Sequence, residues 1–271
     1  MNRLAVSRPG RLGGTVRAVE EADPLLVEAC LEAFAFGNTG IDVLKQDRKA
    51  VVVRGARVGD RAVCLKIYPS LRRARRGFRA QVLLWDREVP VAEPCFLWER
   101  PRRLGGGGVV GMEDLAPACE LDRWLWSVLA AREGRAERLH EAAAGLGALL
   151  ADLHGRGVWL DDLKTCNIFV VDESPLRVRF IDLDGARVLR KVGARHRARS
   201  LVQMNRSTPL EVGLRARRDF WRAYRAALTD REARWIRARV IAGSAKRPPL
   251  SVGPAGVVEE VWPRSVRGWR R

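Results

Sequence analysis

The hydrophobic pattern of this chain changes period once along its length. Up to about residue 113 the apolar residues fall in short runs: Ile41–Leu44, Ala50–Val53, Ala62–Tyr68, Cys95–Glu99 and Val109–Glu113. Runs of that length, alternating or rich in β-branched residues, predict strands, and turn-like Arg48-Lys49 and Gly55–Asp60 separate the first three. Two segments break the rhythm with helical spacing, Asp23–Phe36 and a strongly basic Arg72–Trp85. Residues 1–20 are rich in Gly and Arg and read as a loose lead-in. Beyond Leu115 the period is helical, clearest over Leu121–Ala131 and over Arg138–Gly155, where Leu139, Ala142, Leu146, Leu149, Leu150 and Leu153 recur. One strand pair interrupts it, Ile168–Val171 and Val178–Ile181, before an Arg-rich helical stretch to Ile241 and a Pro/Gly-rich tail. The expected architecture is α+β and bilobal. An antiparallel sheet lobe covers 1–113, a hinge lies near Met112–Leu115, and a mainly helical lobe covers 114–271.

At 271 residues with 47% hydrophobic content, the chain can bury a substantial core. No apolar run approaches the roughly 18 residues needed to span a bilayer. The first residues show no apolar leader pattern. Five scattered cysteines without C-x-x-C spacing favour a reducing compartment over a disulfide frame or zinc site. The expected location is the cytoplasm. The net charge of +18 is uneven: from Arg187 onward 22 basic residues stand against 6 acidic, while residues 1–186 carry 28 against 26. Such asymmetry suits a polyanion such as a phosphorylated glycolipid or the anionic inner face of a membrane. It also fits a plain preference for arginine, since 44 of the 50 basic residues are Arg. Nucleic acid is not expected, because no recognition module or aromatic platform accompanies the charge. Where arginine is the default cation, the six lysines become informative, and two of them are Lys66 and Lys164.

Both lysines fall beside candidate chemistry. Trp159-Leu160-Asp161-Asp162-Leu163-Lys164-Thr165-Cys166-Asn167 lies between a helix end and a strand, and Phe180-Ile181-Asp182-Leu183-Asp184 follows the next strand. Phosphoryl transfer needs a carboxylate to orient the attacking hydroxyl and side-chain oxygens to hold Mg²⁺ on the phosphates. Asp162, five residues before Asn167, is the candidate base, and Asn167 and Asp182 are the candidate metal ligands. Asp161 competes for the base role from a spacing of six. Asp184 is open between a second ligand and a structural acceptor. Lys164 is placed to neutralise charge on the transferred phosphoryl. Lys66 closes an alternating strand, and an inward lysine needs an anion, which nucleotide phosphates would supply. Gly105–Gly108 lacks the Lys-Ser/Thr and the helix of a phosphate loop, and it reads as a hairpin. His140 and His154 read as helix residues, and His196 has no visible partner.

These residues resemble the protein-kinase-like fold, and specifically the bacterial lipopolysaccharide core kinases that phosphorylate Kdo or heptose. The resemblance rests on the two motifs above, on G-V-V-G-M-E-D-L (Gly108–Leu115), on L-H-G-R-G-V (Leu153–Val158) and on R-A-R-S-L-V-Q-M-N-R-S (Arg197–Ser207). It covers about Ile41 to Leu228. It implies an ATP- and Mg²⁺-dependent kinase acting on a hydroxyl of an inner-core sugar, peripheral on the inner face of the inner membrane. It also implies nucleotide contacts at Lys66, Glu113 and Leu115. Three departures stand out. Leu160 occupies the usual histidine position two residues before the catalytic aspartate. No glycine-rich loop joins the first two strands. Gln81 stands in the Arg72–Trp85 helix where an acidic partner for Lys66 is expected, and Glu88 lies too near the helix end. The alternatives are a protein Ser/Thr or small-molecule kinase of the same fold, and a nucleotide-binding pseudokinase.

Overall fold

The computed structural model describes residues 4–9, 12–20, 22–36, 43–46, 48–58, 61–246, 250–253 and 256–259. The chain divides into two compact units. One comprises Met1–Ala116 with Asp182–Asp184, and the other comprises Pro117–Ile181 with Gly185–Arg271.

The first unit is built on one antiparallel sheet. In chain order its elements are β1 (Leu4–Pro9), β2 (Thr15–Val19), helix α1 (Pro24–Phe36), β3 (Val43–Gln46), β4 (Val51–Val58), β5 (Arg61–Tyr68), helix α2 (Leu71–Trp85), β6 (Pro94–Glu99) and β7 (Gly108–Glu113). The spatial order is β1-β2-β6-β7-β5-β4-β3. The residues expected as a loose lead-in thus supply two strands. Val16 and Val19 are buried on opposite faces of β2, Val16 in the core under α1 and Val19 in the core under α2, so both faces of this Gly/Arg-rich stretch are anchored. Gly55–Val58, expected as a turn, continues β4 through a register shift between Arg54 and Arg57. Ile41 and Asp42 of the expected Ile41–Leu44 strand lie outside the described residues.

The two-residue period of the strands sorts the core into two faces. Val63 and Leu65 of β5, Phe96 and Trp98 of β6 and Val109 of β7 meet Leu26, Val27, Cys30 and Leu31 of α1. Tyr68, Leu97 and Val110 point the other way, onto Ala74, Phe78 and Val82 of α2. By parity Lys66 shares the α2 face with Tyr68. Helix α2 forms because Ser70 caps Arg73 N, and because Ala74, Gly77, Phe78, Gln81 and Val82 make a continuous buried stripe opposite its arginines.

The second unit holds β8 (Cys119–Glu120), α3 (Leu121–Ala130), α4 (Arg135–Gly155), β9 (Val158–Trp159), β10 (Ile168–Glu173), β11 (Leu176–Phe180), β12 (Arg187–Val188), α5 (Ala194–Ser207), α6 (Leu214–Arg225), α7 (Asp230–Ser244) and the hairpin β13 (Leu250–Gly253) and β14 (Gly256–Glu259). Helices α4 and α6 approach closely at Gly147, where a Cβ would stand 2.4 Å from the Phe220 carbonyl oxygen. A buried polar knot ties α4, α5 and α6 together. His154 Nδ1 lies 2.8 Å from the Tyr224 hydroxyl, while Arg197 donates to the His154 and Val192 carbonyls at 3.3 and 2.9 Å. Among the described residues no helix is long and apolar enough to cross a membrane.

That knot sets a pH dependence. Burial pushes His154 from its ordinary 6.5 down to about 3, and the neighbouring Arg197 cation adds to the effect. The folded imidazole stays neutral while the unfolded one takes a proton below 6.5. Stability is therefore complete above pH 6.5 and is lost as pH falls from 6.5 toward 3. At pH 5 the loss amounts to about 2 kcal/mol. Urea melts of wild type and His154→Gln at pH 7.5 and 5 would read it. The difference between the two proteins should shrink at pH 5, and a difference that does not change with pH would refute the coupling.

Candidate active site

The motif loop runs from β9 to β10, and one face of α5 fixes its shape. Ser200, Gln203 and Ser207, spaced i, i+3 and i+7, each bind a successive part of it. Ser200 Oγ receives the Trp159 indole N–H at 3.1 Å and donates to the Leu160 carbonyl at 3.1 Å. Gln203 Oε1 accepts from Leu163 N at 3.2 Å, and its Nε2 reaches Asp162 Oδ1 at 3.5 Å. Ser207 Oγ accepts from Thr165 N at 2.9 Å, and its carbonyl takes the Thr165 hydroxyl at 2.8 Å. Buried backbone groups that have no strand partner are satisfied this way, so a loop whose regular structure is one 3-10 turn, Thr165–Asn167, is held in one conformation. Leu160, in the position where a histidine is usual, is buried and contributes its carbonyl to Ser200. Packing and α5 hold the loop at this point without a histidine side chain.

Within the loop the expected residues converge. Lys164 Nζ lies 2.8 Å from Asp162 Oδ1. Asn167 Nδ2 donates to the Asp162 carbonyl at 2.9 Å and to its carboxylate at 3.2 Å. With Nδ2 committed inward, Oδ1 is the atom of the amide that remains for a hard cation, apart from a weak Cys166 Sγ contact at 3.8 Å. The Asn167 carbonyl also accepts from Ile181 N at 3.0 Å, bracing the residue before Asp182. Asp161 turns elsewhere, pairing with Arg199 at 2.9 Å beside Gly185. His196 is not isolated, since its ring meets Trp159 edge-on at 4.5 Å.

The second group of candidates lies in the first unit. Lys66 Nζ is 2.8 Å from Asp182 Oδ1 and 3.2 Å from Asp184 Oδ1. Tyr68, two residues along the same face of β5, donates its hydroxyl to Asp184 Oδ1 at 2.6 Å. Burial works against the Lys66 ammonium, but the facing oxygens of Tyr68, Asp182 and Asp184 outweigh it and hold the group above the usual lysine range. Asp182 has a left-handed backbone, φ 56°, rare for a residue with a side chain and characteristic of functional sites. Gln81 is buried, and its amide donates to the Ala92 carbonyl at 2.8 Å, a structural task within the first unit. The acidic partners of Lys66 therefore come from Asp182 and Asp184, whereas α2 has no acidic residue at all. Asp184 acts here as an acceptor for Tyr68 and Lys66. At the end of β7 the Glu113 carboxylate accepts from Glu93 N at 3.0 Å, and Leu115 lies half-buried two residues beyond.

The sequence pattern by itself gives Ser200, Gln203 and Ser207 no role. Their helical spacing under a loop of polar residues was the available signal. Tyr68 was legible in the same way, at i+2 from Lys66 on one strand face. Among the described residues no three His, Cys, Asp or Glu side chains gather as a metal cluster. The Asp182 carboxylate and the Asn167 amide oxygen are each, taken singly, the hard oxygen donor that Mg²⁺ prefers, so the residue types present fit that ion.

The model of the Lipopolysaccharide kinase (Kdo/WaaP) family matches residues 66–231, a span that takes in Lys66, the whole motif loop, Asp182 and α5. No curated protein matches the chain. Among solved structures, one described as WaaP in complex with acyl carrier protein matches with a TM-score of 0.57 at 20% identity, covering 82% of this chain and 97% of that one. A Stt7 homolog from Micromonas algae, soaked with ATP, matches with a TM-score of 0.47 at 18% identity over 68% of this chain and 56% of that one. The fold is protein-kinase-like, with an antiparallel sheet unit and a mainly helical one. The family match spans more than half of the sequence and includes the phosphoryl-transfer motifs just described, and the chain belongs to the Kdo/WaaP lipopolysaccharide kinase family.

Proposed function

We propose that the chain transfers the γ-phosphate of ATP to a hydroxyl of a lipopolysaccharide inner-core sugar, Kdo or heptose. The observation that carries this reading is the Asp162 carboxylate, held by Lys164, Asn167 and Gln203 in a loop that α5 has already ordered. Asp162 accepts the hydrogen bond of the acceptor hydroxyl and takes its proton as the new P–O bond forms and the bond to the ADP oxygen breaks. Lys164 offsets charge on the phosphoryl group in transit. Lys66 holds the nucleotide phosphates, with backbone around Glu113 and Leu115 receiving the base. Asn167 and Asp182 are the Mg²⁺ ligands, and the ion when bound neutralises the phosphate oxygens. The arginines from Arg187 onward suit an anionic glycolipid at a membrane surface by charge.

Radiolabelled ATP offered with lipid-linked inner-core glycolipid, comparing wild type with Asp162→Ala, tests the reading. Label should enter the glycolipid only with wild type. Equal incorporation by the two proteins would sink it. Label in a protein substrate and none in the glycolipid would favour the protein-kinase alternative.

A further inference from the structure

We infer that Tyr68, together with Gly77, is the device that positions Lys66 for nucleotide in place of an acidic helix residue. The inference rests on the role proposed above for Lys66. Helix α2 spans Leu71–Trp85 without one Asp or Glu, so it offers the Lys66 ammonium no carboxylate. Its glycine explains what replaces that residue. A Cβ at Gly77 would lie 2.9 Å from Asp184 Oδ1 and 3.0 Å from the Tyr68 hydroxyl. The helix backbone is thus pressed against the Tyr68–Asp184 pair, with no room for a side chain between them. A glycine in a helix interior costs stability, and here the close approach requires it.

The arrangement divides the two aspartates by task. Asp184 Oδ1 receives both the Tyr68 hydroxyl at 2.6 Å and the Lys66 ammonium at 3.2 Å. Tyr68 is only 2% exposed and Lys66 Nζ stands 5.1 Å from the centre of its ring, so the aromatic face and the hydroxyl fix both members of the pair. With Asp184 holding the lysine, Asp182 can turn to other ligands without leaving the ammonium unpaired. Every member of the clamp lies on β5, on α2 or in the Asp182–Asp184 turn, and its closure needs no acid carried in by α2. Lys66 is accordingly held ready for phosphate as the chain folds.

Tyr68→Phe tests this directly, because it keeps the ring in the core and removes only the hydroxyl. Lys66 meets phosphate from the bound state onward, so loss of its anchor should weaken Mg-ATP binding and raise the KM for ATP by a larger factor than it lowers kcat. Calorimetric titration of the full chain with Mg-ATP should show an affinity about tenfold weaker than wild type, the scale of one hydrogen bond to a charged group. Gly77→Ala, which leaves Tyr68 in place but crowds it, should weaken binding in the same direction. Tyr68→Phe affinity within about twofold of wild type would overturn the inference, as would a lowered fraction of binding-competent protein whose affinity is unchanged. The titration needs no acceptor. Wild type that binds Mg-ATP yet phosphorylates no glycolipid would refute the proposed acceptor alone, and wild type that binds no nucleotide would refute the clamp as well.

Discussion

Asp162→Asn is expected to lower kcat by about 10³-fold while leaving Mg-ATP affinity near that of wild type, the scale on which positioned general bases act. The substitution preserves shape and removes only the ability to take a proton and to accept on both oxygens. The surrounding frame explains why the loss should be catalytic. Leu163 and Thr165 are held by Gln203 and Ser207 through backbone groups, and Leu160 is held by Ser200. None of these bonds depends on the Asp162 carboxylate, so the loop keeps its form. An amide at position 162 also places a donor beside Lys164 Nζ and Asn167 Nδ2, which removes two favourable contacts from a half-exposed site. The cost to stability should stay within about 1 kcal/mol because solvent reaches that carboxylate. Asp161→Asn is the natural control. Its partner Arg199 is largely exposed, and losing such a pair should change kcat by less than about fivefold. Steady-state kinetics with either acceptor class would decide it. If Asp161→Asn is the variant that abolishes transfer, the base assignment moves by one residue.

The catalytic loop was legible because its chemistry is local. Asp162, Lys164 and Asn167 fall within six residues, and a two-residue loop offset fixes which of them face one another. The strands were legible for the same reason: Val63, Leu65, Lys66 and Tyr68 declare their faces by parity. What stayed hidden depended on residues brought together from far along the chain. Sequence proximity points to the next helix for the acidic partner of Lys66, but Gln81 stands there. The partners that the fold supplies are more than a hundred residues away, at Asp182 and Asp184. Gln81 instead satisfies a buried carbonyl, a demand that no sequence pattern announces. The strands of the lead-in are hidden in the sequence because glycine and arginine mask its few apolar positions. Val16 on one face and Val19 on the other anchor it beside β6.

The same distant pairing predicts how the protein should answer to loss of the charge balance at Lys66. Lys66→Met removes the ammonium that stands between Asp182 and Asp184 and leaves two like charges facing each other over a buried tyrosine. Breaking a fully buried pair by removing one partner costs several kcal/mol, but the two aspartate side chains are 33% and 22% exposed, and solvent screens part of that loss. A destabilisation of about 2 kcal/mol remains, which corresponds to several degrees in the melting transition of a chain this size. Phosphoryl transfer should fall by about 10²-fold or more, since the phosphates lose their fixed cation. The sign of the magnesium response separates this account from simple loss of packing. In wild type the carboxylates already have a cation, whereas in Lys66→Met a divalent ion binds the folded pair and stabilises it by mass action. Millimolar Mg²⁺ should therefore raise the melting temperature of Lys66→Met more than that of wild type, with no nucleotide present. Methionine fills nearly the volume of the lysine stem, so a packing defect would be small and indifferent to Mg²⁺. Equal Mg²⁺ shifts in the two proteins would mean that Asp182 and Asp184 are not held by Lys66 as a charge group, and the clamp built on Tyr68 would fall with them.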